Sequence, residues 1–290
     1  MDFLVLGPLE IISDSAEPVD VPQPVHRAIL SMLLFYAGRP CSHAKIIDAV
    51  WGDAPPKEPV RTLLSHISRI RRHIDAGDRL QTMRGAYRMN PGRDELDLYR
   101  FHRFRSQAQT ALTEGDSEQA AVLFAAALDC WRRPPLADLP STHEIDADVA
   151  QLLEQRRSAE TEFIDLLLSL GRHQQVVPDL QRIVTADPLA ERSWGQLMLA
   201  LYRSGRKGEA LAAYSTARAA MIRTLGTEPT RGLQDLLAQI LSNSEELNAV
   251  AAPAPWSAIR DRLSRPVSFR APSMPRQPHT GADDALGGVA

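Results

Sequence analysis

Apolar and polar positions change period several times along the chain, and each change marks an element. Residues 1–22 alternate through FLVL, LEII and VDV, around Gly7-Pro8 and an acidic turn at 14–18. That alternation predicts short antiparallel strands. Apolar positions next recur at Ala28, Ile29, Met32, Leu33 and Tyr36, a helical stripe over 24–37 that Gly38 ends. Ser42 is placed to cap a short helix whose inward residues are Ile46, Ile47, Val50 and Trp51. A stiff loop with Pro55, Pro56 and Pro59 then leads into VRTLLSHISRIRRHID, residues 60–75. In that stretch Val60, Leu63, Leu64, Ile67, Ile70 and Ile74 define one helical face. Arg61, Thr62, Ser65, Arg69 and Arg72 lie within about 60° of the opposite pole, at ~100° per residue, with His66 and His73 at its edge. Arg71 falls on the apolar side, where its stem is expected to cross the core toward a carboxylate. Residues 79–90 offer two short strands around Arg84-Gly85, a hairpin with Tyr87 in its core, closed by Pro91 and Gly92.

Strands, helix, short helix, long basic helix, hairpin: this order predicts a winged helix-turn-helix, whose long helix enters the major groove while the hairpin flanks it. From Asp97 onward the texture becomes helix after helix with Ala- and Leu-rich stripes. Three turns repeat as LTEGDSEQA (112–120), LSLGRHQQV (168–176) and YRSGRKGEA (202–210). Nine positions after each glycine comes an apolar residue: Phe124, Leu180 and Tyr214. Gly171 and Gly205 are 34 residues apart, the period of a tetratricopeptide (TPR) array. Gly115 and Gly171 are 56 apart, and RRPPLADLPSTHEID at 132–146 reads as an inserted loop. Pro178 either kinks its helix or delays its start. The expected fold is thus mainly α with a small β component: a winged helix-turn-helix over 1–93 and an all-α TPR-like domain over 94–247. Residues 248–290, rich in proline with dispersed arginines, read as a disordered tail, in which Trp256, Ile259 and Leu263 form at most one amphipathic turn.

Charge sharpens this picture. The net of −3 conceals −4 over residues 1–56, +6 over 57–93 and −5 over the remainder. Positive charge therefore gathers around the long amphipathic helix, which points to a polyanionic partner. Lysine occurs only at 45, 57 and 207, against 30 arginines, a bias that suggests a GC-rich genome. No apolar run reaches the roughly 18 residues of a membrane span, and the acidic, strand-like start does not read as a signal peptide. A cytoplasmic protein without membrane attachment is expected. Cys41 and Cys130 read as reduced, buried thiols.

Candidate chemistry follows the same face. Arginine can hydrogen-bond guanine O6 and N7 bidentately, adding about 1–3 kcal/mol of discrimination per pair. Thr62 and Ser65 are short enough to reach phosphates or a thymine methyl. Arg84 at the hairpin tip suits a narrow minor groove or a flanking phosphate, and Arg79 and Arg88 suit backbone phosphates. The DNA-binding set is thus Arg61, Thr62, Ser65, His66, Arg69, Arg72, His73, Arg79, Arg84 and Arg88. Trp194, Tyr202 and Tyr214 are assigned to TPR-type packing. Cys41-x-His43 has no second pair of ligands, and no GxSxG, HExxH or phosphate-loop motif occurs. No cofactor, metal site or enzyme is expected. A rival reading is an adaptor whose winged helix binds protein. Protein interfaces favour apolar anchors, and a face read as arginine and hydroxyl, lacking exposed leucines or aromatics, argues against it.

The segments AILSMLLFYAGRPCSHAKIIDAVWGDAPP, VRTLLSHISRIRR, GAYRM and DPLAERSWGQLMLALYRSGRKGEALAAYSTARAAMIRTLGTEP carry a resemblance. The first half resembles the OmpR/PhoB winged helix, and residues 1–247 resemble a Streptomyces antibiotic regulatory protein (SARP) with its bacterial transcriptional activation domain. No receiver domain precedes and no ATPase phosphate loop follows, which implies a small member of the family. The resemblance implies activation of a secondary-metabolite gene cluster, through direct repeats near the promoter, a homodimer on DNA and RNA polymerase holoenzyme. It places Trp51, Asp53 and Lys57, in the loop before the long helix, as candidate polymerase contacts, although the indole itself is expected to pack inside. PQPVHRAIL departs from the more basic approach usual in relatives, so phosphate contacts from that side are expected to be weaker or to come from His26 and Arg27.

Overall fold

The computed structural model describes residues 1–74, 77–244 and 247. The tail read from 248 onward, with Trp256, Ile259 and Leu263, lies outside them. β1 (Asp2–Leu4) and β2 (Glu10–Ile12) form an antiparallel pair, with Phe3 opposite Ile11. The expected third strand at 19–21 is reduced to an isolated bridge between Ile12 and Pro18.

α1 (Pro24–Phe35) is buried nearly all round rather than along one stripe. The reason is that it is packed on more than one side. Ile29 and Leu33 belong to the main core, while Met32 joins Ala49 and Ile145 in a separate cluster on an adjoining side. β3 (Cys41–Ser42) leads into α2 (His43–Trp51), which Ser42 caps by accepting the Lys45 N–H at 3.1 Å. α3 (Pro59–His73) follows, then β4 (Leu80–Met83) and β5 (Ala86–Met89). β5 is the centre of a three-stranded sheet in the order β3-β5-β4, with Thr82 and Cys41 both opposite Tyr87. Gly85 turns the hairpin at φ +71°, a conformation side chains with a Cβ disfavour.

Seven further helices follow among the described residues: α4 (Asp97–Thr113), α5 (Ser117–Asp129), α6 (His143–Ser169), α7 (His173–Ala186), α8 (Glu191–Arg203), α9 (Lys207–Leu225) and α10 (Arg231–Leu241). They stack as TPR-like antiparallel pairs. The repeated turns have one shared geometry, with Gly115, Gly171 and Gly205 at φ +81°, +77° and +76°. α7 continues through Pro178, forgoing one N–H donor in its middle.

The irregular spacing of 56 comes from α6, which is 27 residues long, and from the loop before it. Thr142 caps α6 by accepting the Ile145 N–H. The loop docks on the N-terminal strands: Arg132 N–H donates to Leu6 O at 3.0 Å, and Leu9 N–H to Asp138 Oδ2. One apolar core therefore runs from Phe3, Ile29 and Ile67 into Phe101, Trp131, Leu136 and Leu152. A second is built from α4 to α10 around Phe124, Leu180, Trp194 and Leu201. α6 enters both, through Leu152 and Ala159 in the first and Ile164 to Leu168 in the second. At 1.5 Å per residue it is a rod of about 40 Å that ties the winged helix to the repeats.

Candidate nucleic-acid interface

α3 is set by its underside. Leu63, Ile67, Ile70 and Ile74 are at most 1% exposed, and burying each contributes roughly 1.5–3 kcal/mol. Pro59 stands at the helix start, where its fixed φ suits the first turn and its missing N–H costs nothing. With that face locked, the opposite face must point outward.

Its outward row is Arg61, Ser65 and Arg72, all exposed, joined by Ser68. Ser68 was not singled out from the sequence, although it lies seven residues after Arg61 and three after Ser65, on the same row. Arg69 stands exposed beside the row. Neither Arg69 nor Arg72 makes a hydrogen bond or ion pair to a described residue, whereas Arg61 is paired with Glu58 at 3.1 Å. Arg84, at the tip of the hairpin, is also exposed and unpaired among the described residues.

The flanks differ from this row. On one side, half-buried Thr62 and His66 turn toward α1 and α2. His66 Nδ1 lies 3.1 Å from Nε2 of the buried His26, and its ring is 6.1 Å from that of Trp51. Burial, followed by the charge of Arg69, lowers the His66 pKa, so the ring is neutral at neutral pH and is a poor phosphate ligand. His26 itself is only 6% exposed. Arg27 is held by Asp138 at 2.6 Å and by Leu9 O at 2.7 Å, so neither is offered to a phosphate at the start of α1. His73 closes α3 by its backbone, and its side chain falls outside what is described.

On the other side, Arg71 Nη2 donates to Leu80 O at 2.8 Å and to Thr82 Oγ1 at 2.7 Å, with its guanidinium over the Tyr87 ring. Its partners are wing oxygens and not the expected carboxylate, because β4 rather than an acidic residue lies against that flank. Val60 and Leu64, read from the sequence as core, are 46% and 47% exposed. The face is therefore not purely arginine and hydroxyl.

Two wing arginines are engaged within the protein. Arg79 forms a two-pronged ion pair with Glu95, through Nε at 2.9 Å and through Nη2. That pairing holds the Glu95 carboxyl down at about 2, against the opposing effect of burial. Arg88 binds Gln81 Oε1 at 2.7 Å and is half-buried. Tyr87 is 2% exposed, as its assignment to the wing core requires. In the loop before α3, Asp53 and Lys57 are exposed and Trp51 is half-buried. Among the described residues no group of three metal-binding side chains occurs, and no helix is long and apolar enough to cross a membrane.

Residues 22–89 match the family described as transcriptional regulatory protein, C terminal, and residues 96–241 match the bacterial transcriptional activator domain. Regulatory protein AfsR of Streptomyces griseus is 36% identical over 87% of this chain and 26% of its own length. The chain thus spans about a quarter of the length of the AfsR proteins it matches. Regulatory protein DnrI of Streptomyces peucetius is 31% identical, with 88% of this chain covering 99% of that protein. The solved structure of Mycobacterium tuberculosis EmbR in complex with a low affinity phosphopeptide superposes with a TM-score of 0.77 at 28% identity. That match covers 90% of this chain and 68% of EmbR.

Proposed function

The chain belongs to the Streptomyces antibiotic regulatory protein family, and we propose that it is a sequence-specific DNA-binding transcriptional activator of a secondary-metabolite gene cluster. The observation that carries this reading is the outward row of α3. A helix with a fully buried underside presents the guanidinium groups of Arg69 and Arg72, unpaired among the described residues, beside exposed Ser65 and Ser68. Such a surface fits a groove lined by phosphates and by guanine acceptors. Arg84 on the wing supplies a further contact, to a flanking phosphate or the minor groove.

In this reading residues 1–93 recognise the operator and 94–247 contact the promoter complex, with α6 fixing their relative placement. Trp51, Asp53 and Lys57 form a candidate contact for RNA polymerase holoenzyme, in which exposed Asp53 and Lys57 are the reachable members. Two copies bind direct repeats as a dimer. Successive α3 helices then share one face of the duplex, so the repeats recur at about 10–11 base pairs or multiples. The protein works in the cytoplasm and has no catalytic role.

The test is a gel shift and footprint on promoters near its own gene, with nonspecific competitor and a salt series. A footprint over phased repeats that Arg69→Ala weakens at least tenfold, with the thermal melt unchanged, supports the reading. Sequence-blind binding that vanishes at physiological salt would overturn it.

A further inference from the structure

Seven large apolar side chains are exposed among the described residues, and two of them border the basic row of α3: Val60 and Leu64. Their placement is coherent. At about 100° per residue, Val60, Leu64 and Arg71 fall within about 40° of one another on α3. Arg71 reaches Leu80 and Thr82, so this flank is the one turned toward β4. Met83, the next residue of that strand, is exposed as well, but alternation along β4 turns it to the face opposite Thr82, so it is not part of this flank. An apolar ridge therefore runs along the wing side of α3, next to the row of Arg61, Ser65, Ser68 and Arg72. The opposite flank, with Thr62 and His66, is occupied by α1 and α2.

Half-exposed leucine and valine on a surface otherwise built for phosphates need a partner that is itself apolar. The C5-methyl of thymine is the apolar group a duplex displays in its major groove, and small apolar side chains contact it directly. A guanidinium makes a poorer cover for that methyl, because burying the methyl against it leaves its hydrogen bonds unmade, and a serine hydroxyl covers less of it than an isobutyl group does. Leu64 sits one residue from Ser65, at the centre of the outward row, and is nearer the middle of the helix than Val60.

We infer that Leu64, with Val60 one turn before it, reads thymine methyl groups, so that each operator repeat carries thymine on the wing side of its arginine-contacted bases. The inference rests on the proposed DNA-binding role and adds to it the apolar half of the base code. Leu64 is the specificity determinant, and Val60 supports it at the neighbouring step.

The experiment begins by selecting duplexes from a random pool with the full chain. Each thymine of the selected site is then replaced singly by deoxyuridine, which removes only the methyl. Wild type and Leu64→Ala are compared on every duplex. The expected result is a loss of about fourfold at one position in each repeat, the factor for burying one methyl group. Leu64→Ala should lose a similar factor on the thymine duplex and no longer distinguish thymine from deoxyuridine there. Its melt should match wild type, since the side chain is half-exposed. A deoxyuridine penalty that persists undiminished in Leu64→Ala would assign the methyl to another residue and overturn the inference. So would the absence of any deoxyuridine effect, which would instead mark the ridge as a protein contact. If no sequence is enriched at all, the DNA-binding role fails as well. Success at selection followed by failure at the methyl step removes only the role of Leu64.

Discussion

Asp97, at the first turn of α4, receives the backbone N–H of Val5 on both of its carboxylate oxygens, at 2.8 and 2.9 Å. The Leu6 and Leu98 N–H groups bind the same carboxylate at 2.9 and 2.8 Å, and Asp97 is 1% exposed. Burial raises its pKa, and the N–H donors and Arg132 act against that rise. The pair joins residues 92 positions apart and closes the N-terminal strand onto the helical half. Asp97→Asn puts an NH2 group among N–H donors, leaving at least one buried donor unmet. A loss of about 1–3 kcal/mol is expected in denaturant unfolding.

Arg79 and Arg69 should separate stability from DNA binding. Arg79→Ala removes the partner of Glu95 and should lower the melting temperature while changing DNA affinity less than Arg69→Ala does. The pH dependence has a definite sign. Glu95 is depressed to about 2, so its contribution is complete above about 4.5 and is lost as pH falls toward 2. Melts of wild type and Glu95→Gln over that window should converge at its acid end.

Glu58 stands at the edge of the arginine row and holds Arg61 in an exposed pair. An exposed pair contributes little to stability, about 0–1 kcal/mol. Its carboxylate, however, repels a phosphate and competes for the guanidinium. Glu58→Gln should tighten operator binding a few-fold and leave the melt unchanged, as read by titration at fixed salt. Weaker binding would mean that Glu58 positions Arg61 for its base.

Tyr36, at the C-terminal cap of α1, donates its phenol to Asp148 on α6, and Lys45, which lies over the ring at 3.9 Å, is paired with Glu144 at 2.6 Å. Burial and then Asp148 push the phenol up to about 12. A raised pKa favours the protonated form in the folded state, so the stabilisation is complete below pH 10 and is lost as pH rises toward 12. Melts between pH 9 and 11.5 should fall more steeply for wild type than for Tyr36→Phe.

Salt dependence checks the number of phosphates engaged. Each Arg-to-phosphate contact removed should reduce the slope of log affinity against log salt by about 0.9. Arg72→Ala and Arg84→Ala are the variants for this measurement, because neither side chain has another partner among the described residues. An unchanged slope would take that residue off the phosphate path.

The pattern of apolar positions was enough for the α3 underside and for the three glycine turns. Leu63, Ile67, Ile70 and Ile74 follow a period that only a helix satisfies, and Gly115, Gly171 and Gly205 mark φ values that other residues avoid. The same pattern misassigned Val60 and Leu64. Periodicity assigns a residue to a side of the helix, whereas its burial depends on whether a neighbouring element covers that turn. The partners of Arg27, Arg79 and His66 were illegible for a related reason. Asp138, Glu95 and His26 lie 111, 16 and 40 residues away, and only the folded chain brings them within reach.

The sequence by itself determined the order of elements, the amphipathic helix with its basic face and the repeat of helical pairs. All of these rest on local periodicity and backbone preference. Tertiary structure alone decided which arginines remain free for a ligand, that an apolar ridge borders them, and that α6 binds both cores into one body. Those outcomes depend on long-range packing, in which the exposure of each side chain is set by elements far away in the chain.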